Sequence, residues 1–477
     1  VLRPASVAVV GASPDPTKRG HRAVHALRES GFRGDVIPVH RAGGELLGLR
    51  VARGPADVAA PVDLVLVCTP AETVPEVLEE WARAGARGAV VLAAGFGESG
   101  EVGARLEQRV RDIAARTSMR IVGPNTSGIL NVPLGLNLIG LDGVLAGPVS
   151  LLVQSGNLAL GLVTEATQVE LGFSFVIGVG NEADVRFDEY LDFLIADART
   201  RAILVHAEGY RDGVAFLSAV RRAAAVKPVA LIQGGRTAGG GAAARSHTGA
   251  IAGPYAALRA GLRQAGVIEL QRTDELLPVI ATLVGQPAVR VGRGIAILSD
   301  SGGHASLAVD ELQGRDMALA ALEPATVERL RRLLGPAAAV QNPVDLAGAA
   351  DRDPGAFARA LELLAADPTV AGVLVVGLFG GYAIRFAESL LEAETEAARQ
   401  LPEIARRSGI ALIVHSLYAH THSEPLRTLR RSGVPVIGSL EIACRCITAL
   451  QERDAALERL RRLAAAWPAA RLAAERS

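Results

Sequence analysis

Cysteine is scarce, with three in 477 residues, which excludes a disulfide framework and makes a reducing cytoplasm the expected setting. Aromatic residues make up 4% while hydrophobic residues make up 49%, so the cores must be built from Val, Leu, Ile and Ala. That is the composition of parallel sheets packed between helices. Neither charge is in excess: 50 Lys plus Arg balance 50 Asp plus Glu, which argues against nucleic acid and anionic membranes as partners. Long apolar runs are missing too. The longest uncharged stretch, Gly143 to Thr164, approaches the length of a spanning helix. It carries Pro148, Gln154, Ser155, Gly156 and Asn157, and so reads as strand, polar turn and helix. Val1 to Val10 has no basic region followed by an unbroken apolar stretch, so no export signal is expected there.

What is present is an alternation of short apolar runs with helical patterns, the signature of βα units and buried parallel strands. Val7–Val10, Leu64–Val67, Ser150–Val153, Ala202–Val205, Ile295–Leu298 and Val373–Val376 are strand candidates; Val102–Ala115 and Ala356–Ala365 are helical. The fold class is α/β, and the length suits about three domains. Glycine-rich or polar segments at Gly135–Pro148 and Gly285–Gly294 suggest boundaries. The expected organisation is 1–140, 141–287 and 292–450, followed by a charged helical tail, 451–477, that breaks at Pro468. An internal repeat supports this division: VSLLVQSGNLALGLVTEA from Val149 matches IAILSDSGGHASLAVDEL from Ile295, with Ser155-Gly156 on Ser301-Gly302. The copies differ where chemistry would lie. Glu208 in the first copy falls on Leu378 in the second, and the strand ALIQGG leads into a glycine-rich segment ending in Ser246-His247-Thr248, whereas ALIVHS leads elsewhere.

Four constellations carry chemical information. VVGASPDPTKRG, Val9 to Gly20, places a glycine turn between a strand and a helix starting near Gly20, an arrangement that offers amides and a helix dipole to a phosphate. Its spacing is not the dinucleotide fingerprint, because Ser13 stands at the second glycine position after Gly11. His40 and Arg41 stand where an NAD site would have an acid, and a basic end suits the phosphorylated ribose that NADP and coenzyme A share. A glycine turn without a ligand is the structural alternative. Asn125, in the Gly123-Pro124-Asn125 turn, offers an amide near a ligand, although so short a turn needs no function. Ser155, Gly156 and Asn157 open a helix whose first amides could hold a phosphate, or Ser155 could simply cap it. His247 follows a segment with five glycines, read as a loop kept for motion or ligand approach. A carboxylate holding one ring nitrogen would leave the other as a nucleophile, and Glu208 at a strand end is a suitable partner. No metal site is expected, since His415, His420 and His422 lack an acidic or cysteine partner at ligating spacing.

Taken together, these residues resemble the NDP-forming acyl-CoA synthetases, the superfamily of succinyl-CoA synthetase and ADP-forming acetyl-CoA synthetase. The resemblance runs from about Ser6 to Leu450 and is most specific in GGRTAGGGAAARSHTGAIAG, Gly234 to Gly253. VVGAS, GPN, QSGN, GNEADV, AEG and NPVDL follow in the family's order. Thr126 departs from the cysteine frequent in the family's GPNC motif. The resemblance implies a Rossmann-like CoA-binding domain followed by two flavodoxin-like domains. It places Gly11, Ser13, Lys18 and Gly20 near the nucleotide end of coenzyme A, makes His247 the phosphorylated histidine with Glu208 as its carboxylate partner, and gives the phosphate to Ser155, Gly156 and Asn157. The implied reaction joins a carboxylic acid to CoA at the expense of an NTP, or runs backwards, through an acyl phosphate and a phosphohistidine. The family's nucleotide site lies on an ATP-grasp module of roughly 200 residues or more, too large for the 27 residues beyond Leu450. A separate β subunit carrying ATP-grasp, Mg²⁺ and ATP/ADP or GTP/GDP is therefore expected, in a hetero-oligomer. The rival reading is a non-catalytic CoA-sensing or scaffold protein of the same fold; an NADP-dependent oxidoreductase is more distant.

Overall fold

The computed structural model describes residues 1–248 and 255–474, with side chains at 1–243 and 255–463. They form two compact units, Val1–Glu269 and Leu270–Ser477. Among the described residues the first unit holds two large sheets and a two-stranded antiparallel ribbon, Glu45–Leu46 with Leu49–Arg50. In one, the strands run in the order Asp35–Val39, Ser6–Val10, Leu64–Val67, Gly88–Val91 and Arg120–Val122, all parallel. Leu64–Val67 and Gly88–Val91 are buried at every position, which is why they read as unbroken apolar runs. Helices Arg19–Glu29, Val74–Arg83 and Glu101–Thr117 turn their apolar faces to this sheet.

The second sheet runs Ile268–Leu270, Val229–Gln233, Ala202–Ala207, Ala146–Val153, Phe173–Gly178, Ile129–Asn131 and Leu136–Asn137. Two of these strands, Ile129–Asn131 and Leu136–Asn137, come from residues before 141, the expected start of the second domain. Ile129–Asn131 joins Phe173–Gly178 antiparallel and Leu136–Asn137 follows it as a hairpin. Thr126, buried, helps fasten that edge: its hydroxyl donates to the Gly178 carbonyl and accepts from the Gly128 amide.

In the second unit the order is Val344–Asp345, Gly294–Ser299, Val370–Gly377, Ala411–Ser416 and Val436–Ile437, all parallel. The repeat is thus visible in the fold, with Ala146–Val153 and Gly294–Ser299 in the same topological position. In each of the three large sheets the strand order reverses at one strand, at Ser6–Val10, Ala146–Val153 and Gly294–Ser299. The crevice beyond the carboxyl end of such a strand is where open α/β sheets hold ligands.

Two local expectations need correction. The glycine-rich segment is helical from Ala238 to Thr248. Thr237 starts it, its hydroxyl accepting from the Gly240 amide at 3.0 Å and its carbonyl from Gly241 at 2.7 Å, and the alanines that follow favour the helix. The charged tail is the continuation of a helix that begins at Leu440 with buried Ile442, Cys444, Cys446 and Ile447, and it runs through Pro468 to Ala474. A proline removes its own amide bond, but helical bonds continue on either side. Among the described residues no helix is long and apolar enough to cross a membrane.

Candidate active site

At the reversal point of the first sheet, Gly11 follows Val10 with φ +90. Its amide and that of Ala12 donate to the Val39 carbonyl at 3.0 and 3.1 Å, so these two groups close the turn instead of facing a ligand. Gly11 and Gly20 contribute by being small, which lets the first turn of helix Arg19–Glu29 lie on the strand end. Ser13 accepts from the Asp15 amide at 3.2 Å and shapes the intervening loop. Lys18 stands at the N-cap position without a side-chain capping bond and lines a cleft of about 560 Å³ with Arg19, Cys68, Thr69, Glu72 and Gly95. Burial pushes the Cys68 thiol up to about 12, which makes it inert at neutral pH. His40 is exposed, accepts from the Ala42 amide at 3.3 Å and lines neither this cleft nor the next.

The second cleft, of about 330 Å³, opens beside the reversal point of the second sheet. One wall is the start of helix Gly156–Gln168, where Ser155 caps by accepting from the Leu158 amide at 3.4 Å. The first amides of a helix have no intrahelical acceptor, so Gly156 and Asn157 offer donors here. An anion at such a site gains about 0.3–1 kcal/mol when exposed and up to ~2 when partly buried. The opposite wall carries Arg19 and Arg22 from the first sheet's helix. Arg19 also donates to the Leu92 carbonyl at 2.8 Å, which pins it between the two clefts. Asn125, with φ +58, lines the cleft; its side-chain amide donates to Asn181 Oδ1 at 3.3 Å. Ser127 lines it too, and its buried hydroxyl has no partner among the described residues, as expected of a group that meets a polar ligand.

Glu208 begins the loop after strand Ala202–Ala207. Its backbone is tied to Gln154, and its Cγ would stand 3.2 Å from a Cβ placed on Gly234. The segment that leads to His247 therefore starts against Glu208. The backbone of His247 lies within helix Ala238–Thr248, but its side chain is outside the described residues. Beyond Glu208, Arg211 donates to the Asn181 carbonyl at 3.0 Å and to the carboxylate of Glu107, itself 1% exposed on helix Glu101–Thr117. Glu107 also accepts from Arg111, from the Gly97 amide and from Asn181. Asn181 donates as well to Glu98 at 2.6 Å, which accepts from the Gly95 amide that borders the first cleft. Burial alone would raise the Glu98 carboxyl, yet these hydrogen bonds hold it below its usual value. The elements that build the two clefts are thus joined through one buried polar network.

Of the residues singled out in the sequence, Ser155, Gly156, Asn157 and Asn125 line the second cleft and Lys18 lines the first, whereas Glu208 lies against Gly234 and lines neither. Arg19, Arg22, Gln154 and Ser127 also line the second cleft and were given no role from the sequence, although the basic cluster at the start of an α/β helix is a readable signal. No group of three or more metal-ligating side chains occurs among the described residues.

The CoA binding domain family matches residues 5–131, and the succinyl-CoA ligase like flavodoxin domain family matches residues 146–283. The chain is 35% identical to the alpha subunit of acetate–CoA ligase (ADP-forming) II of Pyrococcus furiosus, over 85% of this chain and 88% of that one. It is 31% identical to the alpha subunit of isoenzyme I from the same organism, over 94% and 96%. It spans about half the length of several other curated relatives. Among solved structures, the dinucleotide forming acetyl-coenzyme A synthetase 1 of Ca. Korarchaeum cryptofilum, determined with phosphate and ADP, superposes with a TM-score of 0.85 at 26% identity, over 97% of both chains. The chain belongs to the NDP-forming acyl-CoA synthetases. Within that family it is of the type of the alpha subunits of ADP-forming acetate–CoA ligases.

Proposed function

We propose that this chain is the CoA-binding, phosphohistidine-bearing subunit of an ADP-forming acid–CoA ligase, with Glu208 as the carboxylate partner of His247. The supporting observation is the placement of the Glu208 loop beside the Ser155–Asn157 helix start, with Glu208 against the segment that leads to His247. The first cleft, with Lys18 and Arg19, would take the nucleotide end of coenzyme A; Gly11, Ser13 and Gly20 shape its rim, and His40 stands apart from it. The second cleft would take the thioester end and the phosphate.

In the acyl-CoA-consuming direction, phosphate attacks the thioester carbonyl and CoA leaves as the thiol, giving an acyl phosphate. The His247 imidazole then takes the phosphoryl group, and the carboxylate departs. Arg19, Arg22 and the amides of Gly156 and Asn157 would carry the negative charge, while Asn125 and Ser127 supply hydrogen bonds. Phosphoryl transfer asks for placement and charge neutralisation more than for acid–base groups, and this set of residues is of that kind. Glu208 would hold one nitrogen of His247 and favour its cationic, phosphorylated form. An ATP-grasp partner subunit would hold Mg²⁺ and the nucleotide, receive the phosphoryl group on NDP, and complete a cytoplasmic hetero-oligomer.

The test is labelling. Incubated with its partner, Mg²⁺ and γ-labelled NTP, the chain should gain an acid-labile, base-stable label that is lost in His247→Ala. A wild-type chain that stays unlabelled while binding CoA would instead indicate a CoA-sensing protein.

A further inference from the structure

Gln154 is the last residue before the Ser155–Asn157 helix start, and its side chain is turned to the loop that carries Glu208. Its Oε1 accepts from the Glu208 amide at 2.5 Å and from the Gly209 amide at 3.2 Å, while its Nε2 donates to the Gly209 carbonyl at 3.1 Å. The Gln154 amide itself donates to the His206 carbonyl at 3.2 Å. The carboxamide thus adds one rung to the ladder between Ala146–Val153 and Ala202–Ala207 just where both strands end. Three of the four hydrogen bonds a carboxamide can make go to the backbone of two successive residues, Glu208 and Gly209.

The repeated domain holds the same place differently. Asp300 stands where Gln154 stands, and its two carboxylate oxygens accept from the amide of Leu378, the residue that replaces Glu208, at 3.2 and 3.1 Å. A carboxylate clamp is compatible with Leu378. Beside Glu208 it would set two negative groups together, and a neutral amide makes the same backbone bonds without that repulsion.

We propose that Gln154 is a positioning residue that fixes Glu208 relative to the phosphate-holding helix start. This inference rests on the role given above to Glu208. A misplacement of about 1 Å in a group-transfer site can cost on the order of a hundredfold, so the effect should be measurable.

The experiment uses the full chain with its ATP-grasp partner, Mg²⁺ and γ-labelled NTP, and reads the rate of acid-labile labelling for wild type, Gln154→Met, Gln154→Glu, Glu208→Gln and the double variant Gln154→Met/Glu208→Gln. Gln154→Met keeps length and volume but loses all three bonds, and it should label about tenfold to a hundredfold more slowly at an unchanged apparent affinity for CoA. The double variant should be no slower than Glu208→Gln alone, because the amide acts through that carboxylate. Gln154→Glu should move the acidic limb of the pH–rate profile to higher pH, a change that mere loosening of the fold would not produce. If Gln154→Met melts well below wild type, Gln154→Asn, an amide one methylene too short to reach, replaces it in the cycle.

Wild-type labelling with a wild-type rate in Gln154→Met, or defects that multiply in the double variant, would overturn this inference and leave the phosphohistidine reading intact. An unlabelled wild type would overturn both.

Discussion

Gly20 sits on Gly11: a Cβ added to Gly20 would lie 2.2 Å from the Gly11 carbonyl oxygen and 2.8 Å from its carbonyl carbon. The obstacle is backbone, which cannot swing aside as a side chain can. The first turn of helix Arg19–Glu29 is thereby seated on the strand end that borders the cleft.

Gly20→Ala should therefore push the helix off the strand. Overpacking of this kind costs about 1–3 kcal/mol, more than the alanine gains in helix propensity. Urea denaturation should show an earlier midpoint, and CoA binding by calorimetry should weaken with it. An unchanged midpoint would contradict the contact.

Arg22 lines the phosphate-side cleft from a helix that packs on the first sheet and on the Leu136–Asn137 edge of the second. In Arg22→Met the KM for phosphate or CoA should rise about tenfold, the worth of one charge-assisted hydrogen bond. The turnover number should move less. Steady-state kinetics with each substrate varied separate the two parameters, and an unaltered KM for both substrates would remove Arg22 from the site.

Arg211 neutralises Glu107 in a place where the carboxylate is 1% exposed. Arg111, the Gly97 amide and Asn181 remain after its loss, and Arg211 is itself partly exposed, so Arg211→Met should cost a moderate amount, about 1–3 kcal/mol. Adding Glu107→Gln should recover part of that cost, because a buried carboxylate left with one of its two arginines is then neutral. Denaturation midpoints of the two single variants and the double one give the coupling directly.

Glu182 carries a pH dependence whose sign can be stated. Burial pushes its carboxyl up to about 7, against the opposing hydrogen bonds from the Phe187 and Arg211 amides. An unfolded chain releases that proton near 4.5. Between those two values the folded state holds a proton that the unfolded state has lost. Stability should therefore fall as pH rises through this window, by roughly 2–4 kcal/mol for this group, and level off above it. Glu182→Gln should lack that component. Its midpoint relative to wild type should improve between pH 5 and pH 8, and a pH-independent difference would contradict the raised value.

Much of this architecture can be read directly from residue order. Leu64–Val67 and Ala356–Ala365 are visible at their true limits, the first because both of its faces are buried, the second because its apolar positions recur at helical spacing. Ser155 announces a helix by its capping chemistry, and Glu208 stands out because the repeat has leucine in its place. The helix at Ala238–Thr248 was hidden, since three successive glycines weigh against a helix locally while the Thr237 cap and neighbouring structure decide for it. Ile129–Asn131 and Leu136–Asn137 were hidden for another reason. Strands of two or three residues have too few positions to display a period, and the strand that Ile129–Asn131 joins, Phe173–Gly178, lies more than forty residues further along the chain. Gln154 left no trace of its role, because hydrogen bonds to another segment's backbone place no demand on that segment's side chains.

That short hairpin has a practical consequence for anyone dividing the chain into pieces. A fragment ending at residue 140 would carry the hairpin Ile129–Asn131/Leu136–Asn137 away from Phe173–Gly178, the strand that Ile129–Asn131 joins. The remainder would be left with Phe173–Gly178, apolar and buried along its whole length, as an open edge. Such an edge recruits other chains and favours precipitation during expression. Cutting after Val122 and before Ile129 keeps the hairpin with its sheet but divides the hydrophobic core that both sheets share, so Val1–Glu269 is the piece to express whole.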